Sequence, residues 1–243
     1  MAVMEGVRIG TSGYHYKHWV GKFYPKGLKP QRMLAFYAQR FDTVELNNSF
    51  YRLPSREAFE NWHGSTPKGF CFAVKASRYI THMKKLKDPQ SGLSNFLPRA
   101  EALGSKLGPI VFQLPPHWNC DIDRLAEFLE HLPKEHRYSF ELRDRSWHTE
   151  KVYDLLRRYN AAFCIYELAG FRSALEITAD FTYIRLHGPK EKAYQGSYSR
   201  TSLMKWATCI RKWRDELKSV FLYFDNDEAG YAARNADQIK RLL

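Results

Sequence analysis

Apolar residues recur along this chain in two rhythms. Short stretches alternate with a period of two or run unbroken, as strands buried on one or both faces do. They are VRIG (7–10), TVELN (43–47), FCFAVK (70–75), PIVFQL (109–114), RYSFELR (137–143), AFCIY (162–166), FTYIRLH (181–187) and VFLYFD (220–225). Between them, spacings of three and four predict helices near 30–41, 55–64, 93–106, 121–131, 149–159, 199–218 and 230–242, while the link from the sixth strand to the seventh is short and irregular. Asp121 and Ser199 stand where N-caps belong, and Pro30 where a first helical turn tolerates proline.

Strands alternating with helices either close as a parallel barrel or stay open as a doubly wound sheet. The position of the polar residues separates the two. Nearly every strand here ends in polar groups, which fits a ring of loops around one barrel mouth better than the single crevice of an open sheet. The expectation is an α/β protein: a single closed (β/α)8 TIM-type barrel domain over 1–243, with no Ser-, Gly- or Pro-rich linker dividing it.

Strand alternation then sorts the rim. It points Glu45 and Asn47 inward on strand two, Lys75 on three, Gln113 on four, Glu141 and Arg143 on five, and Tyr183, Arg185 and His187 on seven, while strand eight runs into Asp225 and Asn226. The stretch YSFELRDRSWH (138–148) is one sector of this ring: a carboxylate and a guanidinium leave the strand in the same direction, with Trp147 just beyond. A Glu–Arg network can be no more than a satisfied plug in a barrel centre. Four strands each carrying a costly charge at the same end argue for a site instead.

The loops extend it. After strand one, GTSGYHYKHWVGKFYP offers Tyr14, Tyr16, Trp19 and Tyr24 as flat surfaces able to cover a ligand, with Phe23 packing down. After strand three, Lys75, Arg78, His82, Lys84, Lys85 and Lys87 surround Tyr79, a basic and aromatic mixture that suits phosphate groups. The loops after strands seven and eight carry glycines and lead into helix starts, as phosphate-binding barrel loops do.

Composition changes the picture in one respect. With 38 Lys and Arg against 26 Asp and Glu, the formal net charge is +12, which attracts anions without specifying a fold. No apolar run reaches the roughly 18–20 residues of a membrane span, and MAVMEGVRIG is no signal peptide, so a cytoplasmic protein without a membrane partner is expected. Cys71, Cys120, Cys164 and Cys209 are far apart and read as buried free thiols. No HExxH, P-loop, GxSxG or GxGxxG occurs, so no organic cofactor is indicated. A required divalent metal is not favoured; His187 with Glu45 and Glu141 is the one combination that could bind one.

GTSGYHYKHW, VELNNSFYRLP, FAVKASRYITH, QLPP, FELRDRSW, YIRLHG with YQGSYS, and YFDNDEAGYAARNA follow one another in the order seen in the YecE-like family, or domain of unknown function 72. The chain resembles that family over essentially its whole length. The resemblance implies a TIM-type barrel with the signature residues at its C-terminal mouth, and no assigned activity. Tyr14 departs from it where many relatives are expected to have Trp, with the aromatic character kept.

The leading expectation of function is a hydrolase-like enzyme using general acid/base catalysis on an anionic substrate, a phosphate-containing small molecule or nucleic-acid component. Glu141, Glu45 and His187 are the candidate catalytic groups, with Glu141 kept ionised by Arg143 and so suited to the base role. Tyr14, Trp19, Asn47, Tyr51, Lys75, Gln113, Arg143, Trp147, Arg185, Tyr198 and Asn226 are the candidate substrate-binding residues. Two alternatives are a glycosidase-like enzyme, whose retaining form the wide separation of strands two and five disfavours, and a non-catalytic nucleic-acid or polyanion binder.

Overall fold

A computed structural model describes residues 6–243. Among the described residues nine strands are present: β1 (Gly6–Thr11), β2 (Thr43–Leu46), β3 (Cys71–Lys75), β4 (Leu107–Leu114), β5 (Tyr138–Leu142), β6 (Ala162–Leu168), β7 (Phe171–Arg172), β8 (Phe181–Leu186) and β9 (Ser219–Phe224). Without the two-residue β7, the other eight are the expected strands, to within two residues at either end. They pair in parallel in the order β1-β9-β8-β6-β5-β4-β3-β2, a nearly closed barrel with helices outside.

The seam lies between β1 and β2. The two strands approach closely at Gly10, where a Cβ would stand 2.3 Å from the Thr43 carbonyl oxygen. In place of a ladder, the buried Tyr37 hydroxyl accepts from the Thr11 N–H at 3.0 Å and donates to the Thr43 carbonyl at 3.0 Å. Above it, Ser12 and Glu45 form a parallel bridge, and Gly13 N–H donates to the Glu45 carbonyl at 2.8 Å.

The helices are α1 (Met33–Tyr37), α2 (Asn48–Tyr51), α3 (Arg56–Gly64), α4 (Pro89–Ala100), α5 (Ile122–Glu130), α6 (Glu150–Arg158), α7 (Arg200–Glu216) and α8 (Tyr231–Lys240). Asp121 and Ser199 cap α5 and α7, accepting from the backbone N–H of Arg124 and Ser202 at 3.1 Å each, contacts typically worth ~1 kcal/mol. One difference from the sequence reading stands out. The helix expected near 93 starts at Pro89, in the first turn where proline is tolerated, and its Gly92 seats against Ile80, 2.8 Å from where a Cβ would stand. The sixth crossover has no helix, as the short irregular link predicts: β6 turns back through β7 as a short antiparallel hairpin, closed by the ion pair of Glu167 with Arg172. The barrel therefore departs from a strict (β/α)8 repeat at that crossover.

Two apolar clusters follow from strand alternation. The larger lies between strands and helices. The smaller fills the barrel interior with Phe181, Tyr183, Phe221 and Tyr223 from β8 and β9 against Cys71, Ala73, Val111, Ala162 and Cys164 from the facing strands, large set against small. Cys71 and Cys164 are thus buried free thiols, whereas Cys120 and Cys209 are half-buried, a correction to the expectation for those two. Among the described residues no helix is long and apolar enough to cross a membrane.

Candidate active site at the barrel mouth

Above the apolar plug, toward the C-terminal ends of the strands, sits a charged layer organised by Arg185 of β8. Its guanidinium grips Glu45 through Nε at 2.9 Å and Nη2 at 2.7 Å, reaches Glu141 through Nη1 at 2.5 Å, and touches Asp225 through Nη2 at 3.3 Å. Glu45 also accepts from Ser12 Oγ at 2.5 Å and Tyr183 OH at 2.6 Å. Glu141 accepts from Arg143 Nε at 2.6 Å. His187 completes the layer, its Nδ1 being 3.0 Å from Asp225 Oδ2 and its Nε2 3.5 Å from Glu141 Oε2. Because an ionised carboxylate can only accept, Nδ1 carries the proton toward Asp225.

Arg185, Glu45, Glu141 and His187 are fully buried. Burial alone would raise the Glu141 carboxyl, but the guanidiniums of Arg143 and Arg185, with His187, hold it well below the usual range. Burial acts on Asp225 in the same sense and is outweighed by the His187 hydrogen bond and Arg185, so its carboxyl too is lowered. Desolvation works against the Arg185 charge, but Glu45, Glu141 and Asp225 raise its pKa well above the ordinary arginine value. Both oxygens of Glu45 and of Glu141, and all three nitrogens of the Arg185 guanidinium, are engaged inside the protein, the condition under which a buried ion network is tolerated.

A second set of groups is not saturated. Lys75, at the end of β3, is only 7% exposed, and its Nζ lies 4.1 Å from the Phe50 ring centroid with no carboxylate within ion-pair distance among the described residues. Desolvation, then the charges of Arg185 and Arg143, lower its pKa from 10.5 to about 8 against the opposing pull of Glu141 and Glu45. Arg143 binds Glu141 with Nε and leaves Nη2 buried and without a partner. His82, on a π-helical turn spanning Tyr79–Met83, packs edge-on to Phe50 with centroids 4.9 Å apart. Burial and the nearby Lys75 and Arg143 lower the His82 pKa from 6.5 to about 4, so its imidazole is neutral. Gln113 Nε2 is 3.5 Å from that imidazole and donates to the Leu114 carbonyl at 3.2 Å.

Loops enclose the mouth. Gly188, at φ +108°, lets the segment after β8 fold back, since a Cβ there would lie 2.4 Å from the Gln195 carbonyl oxygen. Tyr194 N–H then donates to the His187 carbonyl at 2.6 Å, and the half-exposed Tyr194 ring stands edge-on over the His187 imidazole at 5.6 Å. Across the mouth, Gly13, Tyr14, Tyr16, Asn47 and Trp62 line a cavity of about 350 Å³. Asn47 Oδ1 is buried there without a donor, and Trp62 Nε1 donates to the Tyr14 hydroxyl at 3.1 Å. Asp227 latches the first loop, accepting from Trp19 Nε1 at 2.5 Å and pairing with His18 Nε2 at 2.8 Å; desolvation raises its carboxyl to about 6 despite those contacts.

The structure thus brings Glu45, Lys75, Gln113, Glu141, Arg143, Arg185 and His187 to one end of the barrel, with Tyr14 and Asn47 in the adjoining cavity. Other expected ligand-facing residues are placed differently. Trp19 and Trp147 are fully buried; the Trp147 Nε1 is consumed by the Trp118 carbonyl at 2.6 Å, so both rings are packing residues with no free face. Tyr198 is buried, accepting from Gly188 N–H at 3.1 Å, and braces the loop from beneath. Asn226 ties that loop to α8, donating to the Gly196 carbonyl at 2.8 Å and to Asn235 at 2.9 Å. Tyr51 projects from α2 at 73% exposure. The Gly196 N–H, a candidate anion donor, is filled by the Glu228 carboxylate at 3.1 Å. Sequence reasoning passed over Tyr194 as a site residue and named His82 only within the basic loop after strand three; the YQGSY segment holds two tyrosines four apart, and only the reversal at Gly188 shows which one overlies the mouth. Among the described residues no cluster of His, Cys, Asp and Glu is arranged to hold a metal ion; Glu45 and Glu141 are engaged by Arg185 instead.

Comparison with known proteins agrees with this architecture. The chain is 25% identical to the UPF0759 protein YunF of Bacillus subtilis, over 90% of this chain and 89% of that protein. It is 32% identical to the UPF0759 protein YecE of Escherichia coli over 45% of this chain and 41% of that one. The crystal structure of a DUF72 family protein from Thermotoga maritima superposes with a TM-score of 0.87 at 30% identity, covering 98% of both chains. One from Enterococcus faecalis superposes at 0.79 and 19% identity, covering 98% of this chain and 95% of that one. With the family model "Protein of unknown function DUF72" matching residues 8–243, this chain belongs to the DUF72, or YecE-like, family of barrel proteins.

Proposed function

We propose that the barrel mouth is the active site of an enzyme that takes a small anionic substrate bearing a phosphate or carboxylate group. The observation that carries this reading is the buried Arg143 Nη2 without a partner, at the same mouth as Lys75, whose Nζ has no ion-pair partner among the described residues. Burying a donor without an acceptor costs about 1–3 kcal/mol, a cost that an incoming anion removes. The three carboxylates Glu45, Glu141 and Asp225 are matched by Arg185, Arg143 and Lys75. The attraction is therefore local, directed by open donors rather than by excess charge in the plug.

The same geometry favours base-initiated chemistry over the carboxylate-driven hydrolysis that the sequence suggests. Glu45 and Glu141 are enclosed and fully engaged, so they hold Arg185 and Arg143 in place rather than meet a substrate. The mouth group that exchanges a proton near neutral pH is Lys75, at about 8, while the His82 imidazole beside it stays neutral. A glycosidase arrangement is disfavoured as well, since one guanidinium spans both carboxylates and neutralises them.

Calorimetric titration with inorganic phosphate tests the reading. Wild-type protein is expected to bind it, and Arg143→Ala to weaken binding ~10-fold or more, the scale of a lost charge-assisted hydrogen bond. Arg143→Lys, which keeps the charge and loses the fork, should retain only part of the affinity. Equal affinity in all three proteins would overturn the assignment.

A further inference from the structure

Of all the buried titratable groups in the described chain, Lys75 is placed least like a structural one. Lys106 offers the contrast: its Nζ is caged by the His63 carbonyl at 2.5 Å and the Thr66 carbonyl at 2.6 Å, so its ammonium is used. Lys75 has the aromatic face of Phe50 on one side and no oxygen acceptor, while cations bear on it from neighbouring elements. Arg185 projects from β8 and Arg143 from the end of β5, and the neutral imidazole of His82 faces it from the π-helical turn; the carboxylates facing it, Glu141, Glu45 and Asp225, are already held by guanidiniums. An amine in such surroundings is kept partly unprotonated by desolvation and by like charges, the two devices that turn a lysine into a nucleophile.

We propose that Lys75 is an imine-forming residue, condensing with the carbonyl carbon of a small aldehyde or ketone whose anionic group is seated on Arg143. The identity of the substrate class rests on the anion reading above; the amine chemistry stands on the surroundings of Lys75 alone. In the step, the Nζ lone pair forms a bond to the carbonyl carbon as the C=O π bond breaks, and one Nζ proton passes through water to the oxygen to give the carbinolamine; its hydroxyl then takes up a solvent proton and leaves as water, the C–O bond breaking as the Nζ lone pair closes the C=N bond of the protonated imine. No oxidant, reductant or metal is required. The protonated imine then draws electrons from the adjacent carbon, which suits the base-initiated chemistry of this mouth.

The test is reductive trapping at pH 7.5 with two aldehydes, anionic glyoxylate and neutral glycolaldehyde, each with cyanoborohydride, followed by peptide mapping of every modified lysine. Lys75 is expected to be modified at least ~10-fold faster than exposed lysines such as Lys212, because lowering its pKa from 10.5 to about 8 leaves it a far larger neutral fraction at this pH. Its rate should level off above pH about 8 while exposed lysines continue to accelerate. Glyoxylate should be preferred over glycolaldehyde at Lys75, and inorganic phosphate should protect Lys75 from glyoxylate in the wild type but not in Arg143→Ala. Preferential labelling of Lys75 by both aldehydes alike, without phosphate protection, upholds the amine chemistry and removes the anion seat. Labelling of Lys75 no faster than of Lys212 with either aldehyde, in folded protein, overturns the imine proposal even where calorimetry shows phosphate binding. Lys75→Arg, which keeps the charge and cannot form the imine, should lose the fast-labelled site and leave the remaining labelling pattern unchanged.

Discussion

At the scale of single residues, the mouth separates groups that stabilise the protein from groups that burden it. Lys75 belongs to the second kind. The unfolded chain keeps its proton up to about pH 10.5 and the folded one only to about pH 8. The unfolded state therefore binds the proton more tightly, folding is penalised below pH 8, and the penalty is relieved as pH rises from about 8 to 10.5. Lys75→Met is accordingly expected to raise stability at pH 7 by on the order of 2 kcal/mol, and to flatten the stability profile between those two pH values. Denaturant titration at pH 7 and at pH 9.5 checks it; a variant less stable than wild type at pH 7 would mean that contact with Phe50 outweighs desolvation. A residue retained against its own stability cost is what a site requires.

At the scale of elements, the seam between β1 and β2 is where the barrel is closed by a side chain rather than by a ladder. Tyr37 of α1 supplies one hydroxyl to both edges, and Gly10 allows the approach. Tyr37→Phe leaves the Thr11 N–H and Thr43 carbonyl buried without that partner, for an expected loss of about 1–3 kcal/mol. Amide hydrogen exchange should report it locally, with faster exchange at Thr11 and unaltered protection along β4–β5, a distant well-paired ladder. Uniform loss of protection across the barrel would contradict a seam that opens on its own. The seam matters to the site because Ser12 and Glu45, which bridge it at the top, are also ligands of Arg185.

At the scale of the whole molecule, Arg185 ties β2, β5 and β8 together across the barrel interior, so its network acts as a plug on which the fold and the mouth both depend. Glu141 and Asp225, whose folded-state carboxyls are lowered, contribute stability that is present above their unfolded pKa of about 4 and is lost as pH falls through the lower folded values. Thermal melting is thus expected to hold steady through mildly acidic pH and to collapse only below about pH 4. Glu141→Gln removes the charge that balances Arg143 and Arg185 and should cost about 3–5 kcal/mol, the scale of breaking a buried pair. Melting followed from pH 7 down through pH 4 decides the matter, since the gap between wild type and variant should persist to about pH 4 and narrow only below it, as Glu141 takes up its proton. A variant as stable as wild type at pH 7 would show the plug to be dispensable and would return Glu141 to the catalytic candidates.

Much of this was legible before any coordinates. The eight long strands, the caps Asp121 and Ser199, and the end of the barrel at which Glu45, Lys75, Gln113, Glu141, Arg185 and His187 gather all follow from a period of two and from the rule that a buried charge needs company. These are local or strand-wise properties, and a strand cannot turn one of its residues around without turning its neighbours as well. What the pattern could not reveal is which of those charges is spoken for. Glu45 and Glu141 look alike in sequence to any acid or base, and it is the reach of one guanidinium from β8, 140 positions from Glu45, that enclosed them and left Arg143 and Lys75 with open donors. The aromatic assignments diverged for the same reason: Trp19, Trp147 and Tyr198 are packed inward by partners distant in sequence, whereas Tyr194 is laid over the mouth by a backbone reversal at Gly188. Sequence periodicity determines the direction in which a side chain leaves its strand, but whether that side chain finds a partner depends on distances between strands that only the closed barrel sets.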